Sequence, residues 1–541
     1  MKRILKTSEL HQTILRWTGM ILFLLLVLGP VLALQIRTGQ QLAAGEWKVQ
    51  QLLVPTGRRL TLLVRTLLYA LSVALTCLVV GGFAGCALWQ WRGKKARFLR
   101  WLLLILAPLP SYIHGLAWSS LWMWINTILR QAGASELAFR GWFASWWVSS
   151  MALLPITTGL ALIGFLMIDR DLLDAARLQS VDSRWLQRIA LPLASPTLIA
   201  GSGVVFILCM VDYSVPSLFQ MNVYAMDIFA EFSASSDPVH AFLLGLPLWL
   251  LAILVLALVI GFLRPLSLTP AGEDNLPAGA LVLPGWVRAG QSTALVLLLC
   301  HILVPLVSQV LLVRTGAVWS AAVFDAAGEI QTTLWIALGA ALFSIPIAVA
   351  AGMQTLDRKQ SRLWWILLLL PITLPASLTG IGLVTLWNGL LDVGIYGTLL
   401  MPVLAAAARF ISFAVLITSA QMRTVRKDLI ESGRIYQKHV LFRILRIDIP
   451  LYLPGIVAAA ALVFVLTIGE LGATLIVSPP GRGTLTMRIY NYLHYGASDT
   501  VAGLCLAITV ITVLFSLAIV LYVQLKPDRR QKAPGRTEQQ G

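Results

Sequence analysis

Long apolar runs alternate with short polar segments along the whole chain. A helix that crosses the hydrocarbon core of a bilayer needs about 20 mostly apolar residues, and twelve runs reach that length. The pattern therefore predicts twelve transmembrane helices, at 18–36, 66–90, 101–124, 142–168, 197–219, 241–263, 292–313, 332–353, 363–387, 398–420, 453–477 and 501–525. The first run begins like a signal peptide but lacks a small-residue cleavage site, which predicts a retained helix.

Composition narrows the class of protein. Hydrophobic residues make up 58% of the 541 positions and charged residues 12%, about half the roughly 25% charged residues of a soluble protein. We exclude a soluble enzyme, a disordered chain and a nucleic-acid-binding protein. The chain is predicted to be an all-α polytopic membrane protein whose surroundings are lipid. All five cysteines lie in apolar runs, which predicts neither disulfides nor a metal site.

The distribution of positive charge predicts the orientation in the membrane. Twelve spans place both termini on one side, and the segments of that side hold 30 Lys and Arg against 10 on the other. Because cytoplasmic loops are enriched in Lys and Arg, both termini are predicted to be cytoplasmic.

The chain contains an internal repeat. Thr66-Leu67-Leu68 resembles Thr333-Leu334-Trp335, and Leu109-Pro110 with Gly115 resembles Leu374-Pro375 with Gly380. Asp171-Leu172-Leu173-Asp174 matches Asp428-Leu429-Ile430-Glu431, and Leu191-Pro192 matches Ile449-Pro450. The order is kept and the offset drifts only from 267 to 257. We predict two parallel six-helix repeats, at 1–263 and 292–541, joined by a cytoplasmic linker at 264–291.

Two predicted cytoplasmic loops, each between the fourth and fifth run of its half, share a pattern. The first contains Asp174-Ala175-Ala176-Arg177 and Ser180, and ends at Pro192; the second contains Glu431-Ser432-Gly433-Arg434 and Gln437, and ends at Pro450. An acid and an arginine three residues apart share one face of a helix and can pair. The small residues permit close helix approach, and proline suits the first turn of the next helix.

Both loops resemble the EAA loop of binding-protein-dependent ABC importer permeases, with Ser180 and Gln437 where that pattern has glycine. The resemblance implies the type I importer permease fold in a bacterial inner membrane, with the loops docked on an ATPase and a periplasmic binding protein on the other side. The sequence contains no Gly-x-x-x-x-Gly-Lys-[Ser/Thr], so ATP is expected to bind the partner ATPase. Two fused halves imply two copies of that ATPase. The chain itself is expected not to be an enzyme and to need no cofactor.

Acidic residues inside apolar runs are candidates for function because they are costly there. Asp212 and Glu470 each follow the loop proline by 20 residues, which places both in the outer third of the fifth spans. Two facing carboxylates on the translocation path would favour a cation. Interfacial acids paired with basic groups are the alternative reading.

The third spans offer further path candidates. His114 and Thr379 precede the matched glycines, and Pro110 and Pro375 are predicted to break these helices. A buried core histidine is the favoured reading of His114. Arg409 lies within the tenth run, where it pairs with Glu470 or extends to the interface.

The sequence indicates the transported solute less clearly than it indicates the class of protein. Fused two-half permeases resemble those for iron(III) and thiamine, and Gly469-Glu470-Leu471-Gly472-Ala473-Thr474 is most similar to the iron(III) permeases. Thiamine, polyamine, phosphonate and oxyanion importers stay open. A secondary transporter that uses Asp212 and Glu470 as proton carriers is an alternative from another class, but it gives no reason for the paired loops. A membrane enzyme is a third alternative, but the sequence contains no cluster of catalytic groups that would support it.

Overall fold

The fold is described by a computed structural model that covers residues 2–44, 54–91, 93–169, 171–172, 175, 182–263, 283–313, 316–356, 362–437, 440–495 and 498–525. Within these ranges the chain is helical and contains no strand. Among these residues ten helices are long and apolar enough to cross a membrane, or eleven if a pair bent by 92° counts as one span. The predicted number of twelve is not reached, because the third run is divided between two shorter helices. The predicted all-α membrane fold is confirmed.

The first half of the chain contains nine helices that we number. They are α1 Lys2–Ala43, α2 Gly57–Gln90, α3 Lys94–Leu106, α4 Ser111–Gln131, α5 Gly141–Leu166, α6 Leu191–Val211, α7 Ser214–Leu218, α8 Tyr224–Ser235 and α9 Pro238–Leu263. A short helix, Asp182–Trp185, and a π-helical turn, Leu186–Ala190, lead into α6.

The second half repeats this order. Its helices are α10 Gly285–Val313, α11 Gly316–Asp325, α12 Ala327–Gln354, α13 Arg362–Leu369, α14 Ala376–Val384, α15 Leu400–Thr424, α16 Lys427–Tyr436, α17 Ile449–Ile468, α18 Thr474–Val477, α19 Leu485–Tyr495 and α20 Ser498–Leu525. Leu370–Thr373 is a 3₁₀ turn, Thr385–Leu390 is a π-helical turn, Val440–Arg443 is a short helix, and Ile444–Asp448 is a second π-helical turn before α17.

The third and ninth spans are broken at the matched prolines. The ninth bends by 92° between its two segments, at Leu374-Pro375, and the third divides into α3 and α4 at Leu109-Pro110. Proline has no N–H to donate and disfavours the helical conformation of the preceding residue. The predicted breaks at Pro110 and Pro375 are therefore confirmed.

The fifth spans differ from their predicted bounds. They were expected at 197–219 and 453–477, but α6 ends at Val211 and α17 ends at Ile468. Both helices end just before the acidic residue, so Asp212 and Glu470 lie at the helix ends and not inside the helices. Hydropathy alone did not detect this break, because the segments that follow are also apolar.

The two halves have the same internal packing. In the first, α2, α5 and α6 contact one another, and in the second, α12, α15 and α17 do so. Small residues bring the helices together at matched points. A Cβ on Gly85 would lie 2.5 Å from Ala161, and a Cβ on Gly352 would lie 3.2 Å from Ser419.

The first helix of each half packs against the other half. Helix α1 lies on α12 and α14, and α10 lies on α2, α4 and α5. Glycines permit this approach. A Cβ on Gly19 would overlap Ala350 at 2.1 Å, and one on Gly382 would lie 2.7 Å from the Pro30 carbonyl oxygen.

A short amphipathic helix follows the fifth span of each half and lies at the end away from the loops with the EAA-like pattern. The N–H of Tyr224, where α8 begins, donates to the hydroxyl of Thr66 at 2.9 Å. The N–H of Leu485, where α19 begins, donates to Thr333 at the same distance. These bonds satisfy N–H groups at the helix starts, and they tie each outer helix to the second span of its half.

The predicted linker, 264–291, falls mostly outside the described residues. Its last part is already helical, because α10 begins at Gly285. The seventh span is therefore longer than the predicted 292–313.

Candidate translocation path and coupling surfaces

Asp212 ends the fifth span of the first half. Its backbone is extended, with φ −90° and ψ 139°. The carboxylate accepts hydrogen bonds from the N–H of Ser214 at 3.2 Å and from its hydroxyl at 2.8 Å. No Lys, Arg or His nitrogen of the described residues lies within 4.0 Å of it. Asp212 is half-buried and carries a charge that no cation of the described chain neutralises.

Glu470 occupies the matched position with different partners. Its carboxylate accepts from the N–H groups of Ala473 and Thr474, each at 2.8 Å, and from the Thr474 hydroxyl. Arg409 of α15 donates to it at 2.5 Å. The Glu470 side chain is completely buried, whereas that of Arg409 is 23% exposed.

Both acids therefore lie just before a short helix, Asp212 before α7 and Glu470 before α18. Only Glu470 forms an ion pair. The sequence left open whether Arg409 pairs with Glu470 or extends to the interface. The contact shows that it pairs with Glu470. Two free facing carboxylates are absent from the described residues, since Glu470 is neutralised by Arg409.

The breaks of four spans meet at one place, which we call the central junction: Pro110, Tyr213, Ala376, Gly469 and Gly472. A Cβ on Gly469 would lie 2.6 Å from the Pro110 ring, and one on Gly472 would lie 2.5 Å from Ala376 and 3.6 Å from the Tyr213 hydroxyl. Glycine is thus required for the halves to touch.

Polar groups accompany the central junction. The Tyr213 hydroxyl is buried and has no hydrogen-bond partner among the described residues. It lies within electrostatic range of Glu470, Asp212 and Arg409. Since buried polar groups are normally paired, this hydroxyl has unused hydrogen-bonding capacity at the central junction.

The other path candidates lie in the protein interior. The His114 ring is fully buried and stacks on His301 of α10, with centroids 4.7 Å apart. His301 Nδ1 lies 2.7 Å from the carbonyl oxygen of Met151. Thr379 is buried and bonds to the carbonyl of Pro375 at 3.4 Å. The favoured reading of His114 as a buried core residue agrees with this placement.

The second EAA-like loop forms α16. Glu431 and Ser432 are exposed, and Gly433 is buried. A Cβ on Gly433 would lie 3.1 Å from Ile447, in the π-helical turn before α17. The small residue thus permits close packing, but here against the chain's own next helix. The side chain of Arg434 lies outside the described residues.

The exposed face of α16 is apolar as well as charged. Leu429, Ile435 and Tyr436 are 48%, 62% and 88% exposed, although this segment is not apolar enough to span a membrane. Arg426 pairs with Asp428 at the helix start, and this contact lowers the pKa of the Asp428 carboxyl. A negative charge in the first turn favours the helix.

The first loop is less completely described. Ala175 is helical and exposed, whereas Asp174, Ala176, Arg177 and Ser180 lie outside the described residues. Pro192 and Pro450 stand in the first turn of α6 and α17, as predicted.

The π-helical turns before these prolines were not predicted. They occupy matched positions, Leu186–Ala190 and Ile444–Asp448, and no simple sequence signal marks them. Their surroundings differ. Arg443 and Asp448 are buried, with Arg443 Nε 3.6 Å from Asp448 Oδ2, whereas the matched Trp185 packs edge to face on Trp89.

Comparison with known proteins identifies the second half most directly. Residues 344–531 match the family described as binding-protein-dependent transport system inner membrane component. This range contains helix α16, the central junction residues Gly469 and Gly472, and Arg409.

Curated relatives agree with the family match. The protein of Salmonella paratyphi A named as the 2-aminoethylphosphonate transport system permease protein PhnV is 27% identical over 207 residues, covering 38% of this chain and 74% of the relative. Proteins of the same name from Salmonella typhimurium and Salmonella typhi are 26% identical, covering 38% of this chain and 74% and 75% of the relatives.

Proposed function

We propose that this chain, whose residues 344–531 match the inner membrane components of binding-protein-dependent transport systems, is the permease subunit of an ABC importer. As a transport permease of the inner membrane it is not an enzyme, and it works with an ATPase and a substrate-binding protein. In our proposal its two halves, 1–263 and 292–541, form the complete transmembrane path. Two ATPase subunits bind the cytoplasmic loops, and the binding protein docks on the outer face.

One observation carries this assignment: each half has a coupling loop that runs into a fifth span through a π-helical turn and a first-turn proline. Closure of the ATPase dimer pushes both loops. Because Gly433 packs on Ile447, the push on α16 reaches the base of α17 directly. The far end of α17 is Gly469, in the central junction, where movement opens or closes the path.

The assembly is tested by purification and ATP hydrolysis. Detergent-purified chain should hydrolyse no ATP, because ATP binds the partner. With its partner ATPase it should purify at one chain to two ATPase subunits. Robust hydrolysis by the isolated chain, or a one-to-one complex, would contradict the proposal.

We infer that the solute is a small zwitterion of the aminoalkylphosphonate class. Asp212 carries an unpaired carboxylate that suits an ammonium group, and Arg409 is partly exposed and suits an oxyanion. Tyr213 lies within electrostatic range of both. The relatives named as 2-aminoethylphosphonate permeases support this class.

Iron(III) is the second candidate. The segment from Gly469 to Thr474 is similar to the iron(III) permeases, and the three charged groups Asp212, Glu470 and Arg409 carry a net negative charge. Pairing of Glu470 with Arg409 weakens this candidate, because the buried carboxylate already has a cation.

The two candidates are separated by ligand binding to the co-encoded binding protein. Titration with 2-aminoethylphosphonate, iron(III), thiamine, spermidine and sulfate should give tight binding of the phosphonate. The same solute should then be taken up by proteoliposomes that hold the whole importer and ATP. Tight binding of iron(III) alone would replace the first candidate with the second.

A further inference from the structure

An open cavity of about 420 Å³ lies on the outer side of the second half, between the start of α12 and the helix α19. Its charged walls are Glu329 and Arg488, and the rest of the lining is Gly483, Thr484, Met487, Asn491 and Tyr492. None of these residues belongs to the central junction or the coupling loops. The cavity therefore has no role in the function described so far.

Arg488 is held in a fixed position at this cavity. Its Nη1 donates to Glu329 Oε1 at 2.8 Å and to the carbonyl oxygen of Asp325 at 2.7 Å. The guanidinium also lies 5.4 Å from the centre of the Tyr492 ring. A guanidinium held in this way loses little further freedom when it binds a partner.

One donor of this guanidinium is not used within the chain. Arg488 Nε is shielded from solvent and has no hydrogen-bond partner among the described residues. Leaving a buried donor of a charged group unpaired is costly. The rest of the guanidinium borders the cavity, with 21% of the Arg488 side chain exposed, and a carboxylate matches this planar group best.

At the equivalent position of the first half, acidic side chains pair with basic side chains of the same chain. Counting from the threonine-bonded helix starts, Tyr224 and Leu485, the position of Arg488 corresponds to Asp227. Asp227 pairs with Arg58 at 3.2 Å, and the neighbouring Glu231 pairs with Arg59 at 3.7 Å and with His240 at 3.0 Å. The sign of the charge on the outer helix is thus reversed between the halves, and the cationic helix borders the cavity.

We propose that the Glu329–Arg488 cavity is a docking socket for an acidic side chain of the substrate-binding protein. The proposal rests on the proposed function, because it assumes that such a protein docks on the outer face. The incoming carboxylate pairs with the exposed part of the Arg488 guanidinium, in the space between α12 and α19. Because the first half presents an acid at the matched position, the binding protein docks in one orientation only.

The test uses the whole importer, this chain with its ATPase, in lipid nanodiscs, and measures binding of the co-encoded binding protein. Arg488→Ala should raise the Kd roughly tenfold or more, as expected when one partner of a charge pair across an interface is removed. Glu329→Gln should keep or lower the Kd, since it removes a carboxylate that competes for the guanidinium. The matched control in the first half, Arg58→Ala, should leave the Kd within about twofold.

A charge exchange identifies the partner side chain. Arg488→Glu should abolish binding, and reversal of one acidic residue on the binding protein should restore it. If Arg488→Ala and Glu329→Gln weaken binding equally, the ion pair is structural and the socket is overturned. If the Kd of the binding protein is unchanged while the KM for solute rises, the cavity binds solute and the proposal is wrong. In both cases ATP-dependent uptake by the unmodified importer would leave the proposed function intact.

Discussion

At the scale of residues, a carboxylate in the same repeat position has two different environments. Asp212 is capped by Ser214 alone, whereas Glu470 is completely buried and bonded to Arg409. The difference arises on α15. The offset of 258 that relates Pro192 to Pro450 places Met151 opposite Arg409, so the first half has no arginine at that position.

Removal of Arg409 should destabilise the chain. Arg409→Met copies the residue of the other half and leaves Glu470 charged, buried and without its cation, which costs about 3–5 kcal/mol. Thermal unfolding in detergent should show a clear loss. The double change Arg409→Met with Glu470→Gln should recover most of it, because the unpaired buried charge is gone and the amide oxygen still accepts from one of the two N–H groups, of Ala473 or Thr474. Equal stability of the single and double variants would mean that the ion pair is unimportant.

Loss of the Asp212 charge should affect transport and not stability. Asn at this position still accepts the Ser214 hydrogen bonds through its side-chain oxygen, so α6 should end as before. Uptake of a cation-bearing solute should fall about tenfold or more, because a hydrogen bond to a charged group contributes about 1.5–3 kcal/mol. Uptake assays in proteoliposomes measure this, with ATPase association as the control. Normal uptake would remove Asp212 from the path.

The sequence predicted the positions of these acids but not their contacts. The repeat aligned Asp212 with Glu470 without structural information. Arg409 is 61 residues before Glu470, on another helix, and no local pattern shows that they meet. The bonds from Ala473 and Thr474 exist only because the helix stops before Glu470, which an apolar run does not reveal.

At the scale of elements, the contact of α16 with the π-helical turn before α17 connects the second EAA-like loop to the fifth span of its half. Gly433 is buried against Ile447, and its neighbour Ser432 is exposed on the same helix. These two small residues have different surroundings, although the sequence pattern treats them alike. They form a matched pair for a test of coupling.

Gly433→Leu should uncouple ATP hydrolysis from transport. A side chain there forces α16 away from Ile447, and overpacking of this kind costs about 1–3 kcal/mol. Solute transported per ATP hydrolysed should therefore fall at least about fivefold, as measured in proteoliposomes by parallel uptake and phosphate release. Ser432→Leu on the exposed side should not change the packing of α16 on α17. If both variants keep the normal ratio, the contact does not carry the push.

Spanning helices were predictable as elements because apolar length alone identifies them. Helices α8 and α19 were missed, since 11 or 12 residues with polar positions are too short to register as a span. Their starts depend on Thr66 and Thr333, more than 150 residues away in sequence. The breaks at Pro110 and Pro375 were predicted because proline acts locally.

At the scale of the whole molecule, neither half of the chain is a closed packing unit. Helix α1 lies against α12 and α14, and α10 lies against α2 and α4. Apolar runs carry no information about which half they will contact, so the sequence could not predict this exchange. The overlap that a Cβ on Gly19 would make with Ala350, and one on Gly382 with Pro30, shows how closely the exchanged helix is seated.

The exchange predicts that the halves depend on each other. When the chain is divided between α9 and α10, each half expressed alone presents the surface that the other half's first helix should cover. A loss of a few kcal/mol changes cellular abundance several-fold, so each half alone should accumulate to less than about a tenth of its level in co-expression. Immunoblots of membranes measure the levels, and a tag on one half should purify both.

As a control, a chain divided at the same place but lacking α1 should no longer raise the level of the second half, because α12 and α14 are then uncovered. Full accumulation of either half alone would mean that the exchanged helices contribute little to stability and that each half folds independently.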